Sequence, residues 1–206
     1  CTFDSSESLF VILSAVAVAS GQSIRTLALS GCGLDESTGV KPFQSMFSLA
    51  AKSGSTAPPP LSSLEKLDLS DNHNLTGFNL ASILESFPVG TVKALDLSGT
   101  SIEGTQAVIS AIWRHKPTLE YLNLSRSAVS SSVLASLVGT LSTSRVLPAE
   151  KRNTSVAVAA SATVSGATYT PSVLRELDIR GNYLDVQVIA ILTNALEAAT
   201  NSLEVV

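Results

Sequence analysis

The stretch LEYLNLSRS, residues 119–127, places leucine at 119, 122 and 124 and a small polar residue at 127. Leu122 and Leu124 share one face of a short strand, because strand side chains alternate, and Asn123 between them faces the other way. Ser127 follows where a turn needs a side chain to satisfy its backbone. The pattern recurs on both sides. It reads Ile24-Leu27-Leu29-Cys32-Leu34, Leu64-Leu67-Leu69-Asn72, Val92-Leu95-Leu97-Thr100-Ile102 and Leu174-Leu177-Ile179-Asn182-Leu184. A sixth copy begins at Leu203 and reaches Val206. Each unit is too small to bury its own apolar face, so the copies must stack and share a continuous core.

The anchors Leu27, Leu67, Leu95, Leu122, Leu177 and Val206 are separated by 40, 28, 27, 55 and 29 residues. A period near 28 has room for a strand and a helix. Between strands the apolar spacing switches to that of a helix: Leu80, Ile83, Leu84, Phe87; Val108, Ile112; Val133, Leu134, Leu137, Val138, Leu141; Val188, Ile191, Leu192, Ala195, Leu196. The pattern predicts strands at 25–29, 65–69, 93–97, 120–124 and 175–179, parallel in that order. The fold class is α/β, a repeat solenoid or horseshoe with the sheet on its concave face and helices on its convex face.

The two long separations predict insertions at about 52–63 and 142–172. The first holds Gly54 and Pro58-Pro59-Pro60, which cannot continue a helix. The second is rich in Ser, Ala, Thr and Val, and no frame within it puts apolar residues at all the leucine positions. The most apolar run, Leu9 to Ala19, resembles the core of a secretory signal but is preceded by Asp4 and Glu7 rather than basic residues. At about 11 residues it is too short to cross a bilayer. Counting back from the strands aligns Leu9 with Val188, Ile12 with Ile191 and Leu13 with Leu192, so the run reads as a repeat helix. The chain is expected to be one domain over 1–206, entering and leaving in mid-repeat.

Composition narrows the function. The chain has 206 residues, a net charge of −4, and is 45% hydrophobic but only 5% aromatic. The mild acidity argues against a nucleic-acid partner, which calls for a basic stripe. Two cysteines do not make a secreted disulfide scaffold, and the expectation is a reducing, cytoplasmic setting. No cofactor motif occurs: there is no phosphate-binding glycine loop, and His73 and His115 lack metal-ligand spacing.

The residues that alternate with the leucines form the candidate binding column: Ala28, Asp68, Asp96, Asn123 and Asp178. Asp68 and Asp96, on strands about 4.8 Å apart, could serve a glycosidase or a metal; a solvated charged face is the plainer reading. Around them lie Lys66, Lys93, Glu120, Tyr121, Arg126, Arg175, Glu176 and Arg180. Tyr and Arg amid mixed charge suit a protein interface, so Asp68, Asp96, Tyr121, Asn123, Arg126, Asp178 and Arg180 are the candidate partner-binding residues, and the carboxylates favour a partner with a basic surface. Cys32 is either a reactive thiol or a buried turn residue. Trp113-Arg114-His115-Lys116 is either a basic docking patch or a set of charges ending a helix before Pro117. Sequons occur at Asn74, Asn123 and Asn153, a number that chance explains.

With length near 28 and strand–helix alternation, the repeats resemble the ribonuclease-inhibitor-like class of leucine-rich repeats. LEYLNLSRS, LDLSGTSI (95–102) and LRELDIRGN (174–182) look most similar to the repeats of the CARMIL family of actin capping-protein regulators. That resemblance implies a cytoplasmic, membrane-associated scaffold of the cytoskeleton that is not an enzyme. The capping-protein-binding segment of that family has no counterpart in these residues, so no functional residue is carried over. GTPase activators and surface recognition receptors use the same repeats and stand as the alternatives.

Overall fold

The leucine triplets form strands, each one residue shorter at either end than the pattern predicts. In the computed structural model, which describes residues 6–19, 24–52, 61–103, 106–142, 173–198 and 204–205, these are β1 Thr26–Ala28, β2 Lys66–Asp68, β3 Ala94–Asp96, β4 Tyr121–Asn123, β5 Glu176–Asp178 and β6 Glu204–Val205. They make one sheet in sequence order, and every pairing is parallel. The register aligns Leu27, Leu67, Leu95, Leu122 and Leu177 as one column. Hydrogen bonding continues past the strand ends, with Leu29, Leu69, Leu97 and Leu124 each donating to the neighbouring repeat.

One register differs from expectation. Leu177 faces Val205, not Val206. The reason is in the sequence: Val stands at both 205 and 206, so apolar pattern alone does not separate two registers one residue apart.

The helices are α1 Ser6–Ala19, α2 Lys41–Lys52, α3 Gly77–Ser86, α4 Gln106–Trp113, α5 Ser131–Ser142 and α6 Val186–Ala198. They pack on the leucine face of the sheet, where Leu67, Leu95, Leu122 and Leu177 join Leu80, Ile83, Leu84, Val108, Ile112 and Leu134 in one core. The fold is α/β. α1 contributes Leu9 and Leu13 to that core, as the alignment with Val188 and Leu192 predicts. Ile12 and Ile191 correspond as well, but both lie on exposed helix flanks rather than in the core.

Part of the extra length in the first long repeat is helical. A π-helical turn, Glu36–Val40, runs directly into α2, and together they exceed the ten residues of α3. Asp35 caps this turn, accepting from the Ser37 and Thr38 amides, while the Thr38 hydroxyl accepts from the Asp35 amide. Of the two predicted insertions, 53–60 and 143–172 lie outside the described residues. Across the second, β4 pairs directly with β5.

A single backbone device closes the first five strands. Four positions after each column leucine the chain turns left-handed: Gly31 (φ 58°), Asp71 (55°), Gly99 (66°), Arg126 (53°) and Gly181 (70°). Glycine at three of the five is what the conformation favours, and Asp71 and Arg126 bear the Cβ strain. The turn amides then bond to the next repeat, as in Gly31 N–H to Ser70 O and Arg126 N–H to Arg180 O.

Candidate interaction face of the sheet

The face away from the helices carries two side-chain columns. One is Thr26, Lys66, Ala94, Tyr121 and Glu176; the other is Ala28, Asp68, Asp96, Asn123 and Asp178. All seven candidate partner-binding residues lie on this face or its adjoining turn, which brings residues from 68 to 180 onto one surface.

The aspartates do not stand free as the alternation alone suggests. Asp68 Oδ1 accepts from the Ser70 amide (2.9 Å) and hydroxyl (2.6 Å), and Asp96 Oδ1 does the same with Ser98 (2.9 and 2.7 Å). Asn123 Oδ1 accepts from the Ser125 amide, while its Nδ2 donates to Asp96 Oδ2 at 3.1 Å. Each side chain thereby organises the turn after its own strand. Asp68 and Asp96 are neighbours in register, but no group of three His, Cys, Asp or Glu among the described residues could hold a metal ion.

Asp178 differs from its column. It is 4% exposed and accepts from Arg180 at the backbone (3.0 Å) and at the guanidinium, Nη2 to Oδ2 at 2.6 Å and Nε to Oδ1 at 3.1 Å. These bonds hold the Asp178 carboxyl below its ordinary range, and the ion pair raises Arg180 in turn. Asp178 is therefore committed within the chain. Arg126 sits in the left-handed turn after β4 with its side chain exposed. Tyr121 is half-buried in mid-face. Burial, then the Asp96 and Glu176 carboxylates, push its phenol above the usual value.

A third column runs one residue before the strands: Arg25, Glu65, Lys93, Glu120 and Arg175, alternating in sign. Glu65 bonds Arg25 at 2.6 Å and Lys93 at 3.3 Å, and Arg175 meets Glu120 at 3.6 Å. Sequence reading picks out Lys93, Glu120 and Arg175 but passes over Arg25 and Glu65, although the position after each repeat's first apolar residue is the signal. These pairs are exposed and worth little singly. Their use is to fix the rim of the face.

The remaining candidates resolve toward structure. Cys32 is 5% exposed, its thiol donating to the Ser30 carbonyl at 3.6 Å. The Trp113–Lys116 cluster is not a patch. Arg114 Nη1 donates to the Glu85 carbonyl at the end of α3, Lys116 Nζ lies 5.6 Å over the Trp113 ring, and His115 is fully buried. His73 is exposed, and its carbonyl accepts from the Ser101 hydroxyl. No helix among the described residues is long and apolar enough to cross a membrane.

No protein-family model matches the chain. No curated protein matches it either.

Proposed function

We propose that the chain is a leucine-rich-repeat solenoid, curved as a horseshoe, whose open concave face holds a protein partner without catalysing a reaction. The observation that carries this reading is the register: five repeats present Tyr121, the aspartates and flanking basic residues as one continuous surface. An extended face of that kind suits a macromolecule better than a small ligand. The polar groups on it support binding rather than catalysis, because Asp68, Asp96, Asn123 and Asp178 each spend acceptors on their own turns. A partner with basic residues, and not a nucleic acid, fits Asp68 and Asp96, which have no cationic partner among the described residues. The resemblance of the repeats to the CARMIL family supports a scaffold of the cytoplasm, at the membrane-associated cytoskeleton.

The test is affinity capture from cytosolic extract with the wild-type chain, Tyr121→Ala, Arg126→Ala and the helix-face control Gln106→Ala. A specific partner should bind wild type and the control equally. Each open-face variant should lose about 1–2 kcal/mol of binding. A partner held at full affinity by both open-face variants and released by the control would overturn the reading.

A further inference from the structure

One contact on the open face is made by the chain to itself in the fifth repeat and is missing from the second and third. After β5, Arg180 turns its guanidinium onto both oxygens of Asp178. At the equivalent place after β2 and β3 stand Ser70 and Ser98. Their hydroxyls reach only Oδ1 of Asp68 and of Asp96. The two carboxylates are adjacent in register, and neither has a cationic partner among the described residues. Like charges facing each other across a sheet repel. Asp96 Oδ2 takes one weak bond from Asn123, and Asp68 Oδ2 has none among the described residues.

Asp68 and Asp96 border a depression of about 610 Å³ on the open face, lined also by Thr26, Ala28, Ala94 and Tyr121. Its floor follows from the register Lys66–Ala94–Tyr121: a methyl group stands between two long side chains. Of the four carboxylates that line it, Glu65 is paired with Arg25 and Lys93, and Glu120 with Arg175, which leaves Asp68 and Asp96 beside Lys66. Lys66 is exposed on a flexible stem and can turn its charge to water.

We propose that this depression seats an arginine side chain of the protein partner, its guanidinium on Asp68 and Asp96 as Arg180 lies on Asp178. The proposal rests on the reading of the open face as a protein-binding surface. Arginine fits where lysine does not, because a planar fork engages two carboxylate oxygens at once and can lie against an aromatic ring, here Tyr121. Charge complementarity selects the occupant, and the bulk missing at Ala94 gives it room.

The probe is acetyl-Gly-Gly-Arg-Gly-Gly-amide, with its citrulline analogue as a neutral isostere, titrated into the isotopically labelled chain and followed by amide NMR. Saturable shifts should centre on Ala94, Asp96 and Tyr121 with the arginine peptide and be absent with citrulline. Ser98→Arg, which copies the Arg180 arrangement beside Asp96, and Ala94→Met, which fills the floor, should each weaken the arginine response roughly fivefold or more. Unchanged shifts at Val188 and Leu192 would report that both variants are folded. Equal responses to the two peptides, or full binding by both variants, would overturn the seat. A protein partner that depends on Tyr121 while the peptide fails to bind would sink this inference and leave the open-face reading standing. Specific peptide binding with no partner dependent on the face would do the reverse.

Discussion

Asn72 and Thr100 hold the same place in successive repeats and do different amounts of bonding. Asn72 is fully buried; its Nδ2 donates to the carbonyls of Leu29, Leu69 and Ser70, and its Oδ1 accepts from the Leu34 amide. Among the described residues the Thr100 side chain makes one bond, its hydroxyl donating to the Leu97 carbonyl. Removing Asn72 strands several buried backbone groups, so Asn72→Ala should cost about 2–4 kcal/mol and Thr100→Ala about 1 kcal/mol, as read by urea denaturation. Equal losses would show that the bonds across repeats carry no special weight. Cys32, at the same place in the first repeat, should resist a thiol reagent in the native state and react on unfolding; labelling of folded protein at the rate of a free thiol would contradict its burial. His115 gives a pH test. Neither buried ring nitrogen makes a well-formed hydrogen bond among the described residues, and burial lowers the pKa below 6.5, partly offset by the nearby Leu84 backbone and reinforced by Arg114. The unfolded chain therefore takes up a proton near pH 6.5 that the folded chain refuses. Stability is full above that pH and falls as pH drops toward the lowered folded value. Urea midpoints at about pH 7.5 and about pH 5.5 should differ in wild type, and His115→Leu should reduce the difference. An unchanged difference would assign the acid sensitivity to other groups.

At the scale of elements, the strands answer to a single leucine column, and a cavity in it is felt on both sides of the sheet. Leu122 is fully buried between Leu95 and Leu177. Leu122→Ala should cost about 2–5 kcal/mol in chemical denaturation; a loss within the range of surface substitutions would mean the column is not the core. The strands were legible in the sequence because leucine at alternating positions has one solution, a strand with one buried face, and the helical spacing between them has another. The left-handed turn was written less clearly, in glycine at 31, 99 and 181, while Asp71 and Arg126 adopt it without that mark. Two things could not be read. Val205 and Val206 are the same residue, so the last register was open. The π-helical turn before α2 depends on how Asp35 and Thr38 cap each other, which is a matter of geometry rather than of pattern. The open face shows the same division. Alternation names Asp68, Asp96 and Asp178 as one column, but not that Ser70 and Ser98 take one oxygen of the first two while Arg180 takes both of the third.

For the molecule as a whole, the order of elements in space is the order in sequence. Each strand pairs only with its sequence neighbours, and helix packs on helix along the same series from α1 to α6. In the repeat solenoid proposed above, stability is nearer to a sum of units and the contacts between them than to a single all-or-none block. Among the described residues, β1 and β6 are each paired on one side. Leu27 of β1 is only partly buried, while Leu67 and Leu95 in the same column are fully buried, and in α6 Val186 and Ile189 are exposed. In the interior, Leu95, Leu97 and Ile112 are wholly buried and Asn123 ties β4 to β3. Local opening should therefore be easiest at β1 and β6 and hardest at β3 and α4. Native-state hydrogen exchange should show amide protection rising from both ends toward Ala94–Asp96 and the second half of α4. Protection equal in all six strands would mean that the sheet opens only as one cooperative unit, and the additive description would fail.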